Sequence, residues 1–163
     1  MRRDIRDNVT RVISGGQTGV DRGALDAAIL LGIEHGGWCP RGRLAEDGPI
    51  PPQYDLWETE SPEYPVRTEQ NVTDSDGTLL LFRRRLTGGT RYTLRMARRH
   101  GRPHFQVDLE QPWDIPAVQT WLAEHDIQVL NVAGPRASTS PRIQDDAREF
   151  VLALLNHDSP RET

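Results

Sequence analysis

The sequence predicts an α/β fold: one domain, with a mostly parallel sheet of about five or more strands and helices on both faces, three layers in all. Three observations carry that prediction. Short apolar, β-branched runs alternate with stretches of helical apolar spacing, and glycine-bearing turns join three of those runs to the helix that follows. The length of 163 residues fills one core but would divide poorly into two. Strands alternating with helices pair in parallel through right-handed crossovers, and sheets of that kind take ligands beyond the carboxyl ends of their strands.

The elements follow in order. Residues 9–14 read as a buried strand that stops at a glycine pair, and the turn Gly15-Gly16-Gln17-Thr18-Gly19 opens a helix bearing Leu25, Ala28, Ile29 and Leu31, ended by Gly32. A second strand is expected over 33–40. Residues 41–54 contain Gly48-Pro49-Ile50-Pro51-Pro52, which disfavours regular structure, so a long loop and candidate lid is expected there. Thr68 is placed to cap a short helix that ends before Asp74-Ser75-Asp76-Gly77, and 78–82 is the clearest buried strand. After the loop 83–90 comes a helix through Leu94, Met96 and Ala97, then a strand over 104–108. Asp114 caps the next helix, with Pro116 in its first turn, and 127–132 is the fifth strand. Pro141 is expected to begin a last helix with Ile143, Ala147, Phe150, Val151 and Leu154 inward, followed by a disordered tail after 157.

Composition excludes several function classes. The 20 basic residues are all arginine, and without lysine there is no Schiff base, hence no pyridoxal phosphate, and no lysine-dependent NTPase loop. The net charge of −4 argues against nucleic-acid binding. A mean hydropathy of −0.64 and the lack of any run near 20 apolar residues argue against a membrane span. The charged N-terminus carries no export signal, so a cytoplasmic protein is expected, and the glycosylation-like Asn71-Val72-Thr73 is then irrelevant. Cys39, the only cysteine, cannot form an internal disulfide and reads as an inert buried thiol; no histidine pair has metal-site spacing on a helix, so no metal site is expected. Trp38 and Trp57 flank the long loop and could pack it or stack on a flat ring.

Three loops carry the candidate chemistry. In the first, glycines let backbone N–H groups approach an anion at the positive end of a helix, so Gly15, Gly16, Gln17, Thr18, Gly19 and Asp21 are candidate ligand contacts. Asp21 and Asp26 could equally serve only the helix dipole, worth roughly 0.3–1 kcal/mol. The second sets Arg83 and its two arginine neighbours beside Gly88, Gly89 and Thr90, and guanidinium forks match phosphate geometry. The third joins Gly134, Arg136 and Ser138 ahead of a helix, with Ser140 a structural cap. All three leave the carboxyl edge of the same sheet, which points to one site for a small anionic ligand.

The strings ISGGQTGVDRGALD at 13–26, LTGGT at 86–90, RP at 102–103 and NVAGPRASTSP at 131–141 resemble the putative molybdenum carrier family, a circularly permuted branch of the Rossmann-like superfamily that includes the cytokinin-activating phosphoribohydrolases. The resemblance spans about residues 9–156. It implies a Rossmann-like fold and a nucleotide-binding or molybdenum-binding crevice for the molybdenum cofactor, molybdate or a nucleotide-like ligand, and a homo-oligomer, dimer or higher. It places Gly15, Gly16, Thr18, Gly19 and Asp21 in the first ligand loop, Gly88, Gly89 and Thr90 in the second, and Gly134, Arg136 and Ser138 in the third. The phosphoribohydrolases carry PGGxGTxxE in the second loop; here Thr93 stands in place of the glutamate and Thr87 in place of the proline. Threonine cannot titrate near neutral pH. A non-catalytic carrier or sensor is the first expectation, and a nucleotide-processing hydrolase with Asp21 in the acid's place is the alternative.

Overall fold

The computed structural model describes residues 8–156. Its first strand, β1 (Arg11–Ile13), leads through the glycine turn into α1 (Val20–Leu31), which Gly32 ends in the left-handed conformation. Then come β2 (Glu34–Gly36), β3 (Trp38–Cys39), β4 (Leu44–Ala45), β5 (Gly48–Pro49) and β6 (Trp57–Glu58). The remainder is α2 (Tyr64–Thr73), β7 (Gly77–Phe82), α3 (Gly88–Arg99), β8 (His104–Asp108), α4 (Ile115–Glu124), β9 (Val129–Ala133) and α5 (Ile143–Leu155).

Five strands form one parallel sheet in the order β2-β1-β9-β7-β8, so the last strand in sequence lies at the centre. Its register sets Ile13 beside Asn131 and Asn131 beside Thr78. The apolar run 79–82 of β7 is what a strand covered on both faces requires. Leu79 and Leu81 join Leu130 and Val132 of β9 in a core closed by α1, α4 and α5, where Val20, Leu122 and Phe150 are fully buried. Alternation turns Leu80 to the opposite face, where Val72 of α2 packs on Met96 and Ala97 of α3. The result is the expected Rossmann-like three-layer sandwich.

Four expectations need correction. Residues 33–40 are not one strand: at Gly37 (φ 120°) the chain turns, and β3 pairs with β6 outside the main sheet, Trp38 opposite Trp57. Residues 41–54 are not simply irregular, since β4 and β5 form a small antiparallel hairpin around Glu46-Asp47. That segment is well anchored, because an Arg43 guanidinium nitrogen donates to the carbonyls of Ile50, Pro51 and Tyr54, and Ile50, Tyr54 and Leu56 bury against Leu25 and Cys39. The helix assigned to Thr68 begins a turn earlier at Tyr64, with Pro65 supplying the φ of its first turn. The last helix begins at Ile143 rather than Pro141, because Arg142 sits at φ 67° and cannot continue a helix. The tail after 157 lies outside the described residues.

Candidate functional site

A crevice opens where neighbouring strands send their helices to opposite faces. The chain leaves β1 and β9 toward α1 and α5 on one side of the sheet and leaves β7 toward α3 on the other. The cavity between these exits encloses about 180 Å³. That is below the roughly 300–1,000 Å³ of a pocket that swallows a drug-sized molecule, so it suits a compact ligand or one end of a larger one.

All three sequence-predicted loops reach this cavity. Gly15, Gln17 and Asp21 line it from the first, Gly88, Gly89 and Thr90 from the second, and Gly134 and Arg136 from the third. Gly16, Thr18, Gly19 and Ser138 do not. Gly16 is covered by Leu56 and Ile50, and Gly19 (φ 85°) lies so close to the Pro135 carbonyl that a Cβ would stand 2.3 Å from its oxygen, so these glycines seat one loop against another. Arg83 is also elsewhere. Its guanidinium donates to Ser140 Oγ at 3.0 Å and the Pro141 carbonyl at 2.7 Å and pairs with Asp146, so it braces the start of α5.

The expected cradle of free backbone amides requires a further correction. The Gln17 amide donates to Asp21 Oδ2 at 3.1 Å. The Thr18 amide donates to Gln17 Oε1, Ala137 to Thr18 Oγ1, and Ser138 to Glu46 Oε2. A carboxylate in the first turn of α1 folds back onto the glycine turn ahead of it, because those amides would otherwise be buried without acceptors. Donors on the wall that face an anion include the opening amides of α3 at Gly88 and Gly89, where Thr87 makes no side-chain cap, and two arginines.

One of those arginines is Arg67. Buried on α2, it donates to the Gly15 carbonyl at 2.9 Å and stands 3.7 Å from Asp21 Oδ2. Burial pushes the Asp21 carboxyl above its usual range, against the pull of Arg67, the Gln17 amide, Arg22 and the Gly15 amide. Arg136, the other, faces Glu46 Oε1 at 3.9 Å. Both guanidinium groups lie against the Tyr64 ring, at 5.2 Å for Arg67 and 5.7 Å for Arg136. With two arginines and a helix N-terminus against one hindered carboxyl, the cavity is an electropositive place.

Tyr64, Arg67 and Tyr92 were not among the sequence-derived candidates although they line this cavity. Nothing in a single sequence separates Arg67 from the other arginines, since only the packing of α2 across the first loop brings it there. The two tryptophans pack on each other instead, Trp38 against Trp57 with centroids 5.3 Å apart and planes tilted by 59°, and neither lines the cavity. Thr93 does line it, but its hydroxyl donates to the Gly89 carbonyl at 2.9 Å. Cys39 is buried outside the cavity, and burial pushes its thiol up. Among the described residues no group of three or more His, Cys, Asp or Glu side chains is placed to hold a metal ion, and no helix is long and apolar enough to cross a membrane.

Comparisons with known proteins agree with this architecture. Residues 12–155 match the model of the circularly permutated YpsA SLOG family. A crystal structure of a protein named putative molybdenum carrier, from Syntrophus aciditrophicus SB, is 43% identical, superposes with a TM-score of 0.87, and covers 92% of this chain and 96% of its own. No curated protein matches the chain.

Proposed function

The chain belongs to the circularly permuted YpsA SLOG family, and from that premise we propose that it is a carrier or sensor that holds the oxyanionic end of a small ligand in the crevice between β7 and β9. The observation that carries the reading is the composition of that crevice: Arg67, Arg136 and the opening amides of α3 converge on it, while its one carboxyl among the described residues, Asp21, is tied to the Gln17 amide and faces Arg67. Such donors stabilise negative charge and coordinate no cation. They fit molybdate, a phosphate group, or the phosphate of a pterin or nucleotide, and the Tyr64 face offers a flat ring something to stack on. The name borne by the 43% identical protein is consistent with molybdenum as cargo. A molybdenum centre held through a protein thiolate does not fit, because Cys39 is not on the wall. In this proposal the protein works in the cytoplasm as a homo-oligomer, a state that light scattering reads directly.

The hydrolase alternative draws on the raised pKa of Asp21, the property a general base needs. Against it, the same carboxylate accepts the Gln17 amide and faces Arg67, and Thr93 is bonded to its own helix. Thermal unfolding with molybdate, inorganic phosphate, AMP and ADP-ribose tests the carrier reading. A ligand at 100 times its Kd adds about 2.7 kcal/mol, or about 5–10 °C in Tm for a chain of this size. A flat response to all four rejects it, and release of a free base from AMP would favour the hydrolase.

A further inference from the structure

Glu46 sits at the tip of the β4–β5 hairpin, and its carboxylate is seated on the third loop. It accepts the Ser138 amide on Oε2 at 3.1 Å, the Ser138 hydroxyl on Oε1 at 2.5 Å, and the Thr18 hydroxyl, with Arg136 Nη1 at 3.9 Å. A backbone amide, two hydroxyls and a guanidinium around two oxygens are the donor set that a phosphoryl group or another tetrahedral oxyanion would ask for. Arg136 belongs to both places, lining the cavity while facing Glu46. A ligand in the cavity and the Glu46 carboxylate therefore compete for the same guanidinium.

The tip is held in a way that lets Glu46 leave without unfolding the hairpin. Asp47 beside it makes two bonds to buried Arg22, at 2.7 and 2.8 Å, and these do not involve Glu46. The seated arrangement also leaves a defect. Gln17 Oε1 accepts the amides of Glu46 and Thr18, which fixes the side-chain amide orientation and leaves Gln17 Nε2 buried with no partner among the described residues. Burial opposes charge on Glu46, yet the hydroxyls of Ser138 and Thr18, the Ser138 amide and Arg136 together hold its carboxyl below the usual range, so the seat stabilises a full negative charge.

We propose that the Ser138 amide and hydroxyl, the Thr18 hydroxyl and Arg136 form an oxyanion subsite at the rim of the cavity, which Glu46 fills as an internal stand-in and which an oxyanion group of the ligand takes over by displacing it. This rests on the carrier reading and adds to it a second anion position, with Glu46 as the group that sets affinity. The test is calorimetric titration of wild type, Glu46→Gln and Glu46→Ala with molybdate, inorganic phosphate and AMP at matched ionic strength. The three arms separate a free anion from a phosphoryl group on a larger molecule. Removing a competitor that fills the seat about nine-tenths of the time tightens binding about tenfold, so both variants are expected to bind the successful probe about tenfold more tightly than wild type. Unchanged or weaker binding in variants that melt cooperatively overturns the proposal. If both variants unfold, wild type decides through the Glu46 side-chain carboxyl ¹³C signal. Its titration midpoint rises toward the ordinary carboxylate range when saturating ligand displaces it, and an unmoved midpoint overturns the proposal. Should none of the probes bind any form, the carrier reading fails and takes this inference with it, whereas binding without a gain in the variants sinks the displacement alone.

Discussion

Asp21→Asn probes the balance on which the first loop depends. In wild type the carboxylate accepts the Gln17 amide and lies 3.7 Å from Arg67. Asparagine keeps an acceptor oxygen for the Gln17 amide and, like the protonated acid, carries no charge to face Arg67, so the pH dependence carries the information. Because burial raises the folded pKa of Asp21 above its unfolded value near 3.8, the folded state binds the proton more tightly, and stability falls as pH rises from there through the raised pKa. Each unit of that shift costs wild type about 1.4 kcal/mol, a cost the variant does not bear. Wild type is therefore expected to lose stability relative to Asp21→Asn as pH rises, in urea titrations between about pH 4 and 8. A gain of wild type over the variant as pH rises would mean that Arg67 and the Gln17 amide outweigh burial and depress the pKa, which would refute the reasoning.

Three further outcomes follow from the same coordinates. Gly19→Ala forces a side chain into φ 85° and against the Pro135 carbonyl, and about 2–4 kcal/mol of stability should be lost in urea unfolding. Tyr54→Phe removes the hydroxyl that donates to Asp26 Oδ1 at 2.6 Å, while Gln144 still donates to Oδ2 at 3.0 Å, so a loss of about 1–2 kcal/mol is expected. The variant's alkaline absorbance titration should also lack the late-ionising phenol, which burial and Asp26 push above the ordinary tyrosine range. Arg136→Ala should leave unfolding free energy within about 0.5 kcal/mol of wild type, since the side chain is part-exposed, yet weaken the binding of an oxyanion about tenfold or more by calorimetry.

The glycine turn after β1 and the apolar run of β7 were legible in the sequence because their signals are local: a glycine cluster between a β-branched run and a helical one, and four apolar residues bounded by turns. The convergence of three loops was legible too, because parallel crossovers place all strand exits on one edge. Less legible was anything set by partners distant in sequence. The break at Gly37 needs glycine, because φ is 120° there and a Cβ would lie 2.3 Å from the Ser14 carbonyl oxygen, and Arg43, Ile50 and Tyr54 tie the base of the hairpin at 44–49 to the body. Arg83, chosen for its charge beside a glycine pair, turned out to serve Asp146 and the start of α5, a partnership 63 residues away.

The order of residues by itself determined the layers, the strand exits and the positive character of one edge, because periodicity, glycine placement and an all-arginine cation set are properties of the chain. Which donors remain open to a ligand was decided only by the tertiary structure. Asp21 and Glu46 are delivered to the amides of the first and third loops by a helix and a hairpin, while Arg67 arrives from α2, more than 45 residues along from Asp21. Buried amides must find an acceptor, and only the folded chain says whether that acceptor is its own carboxylate or something it carries.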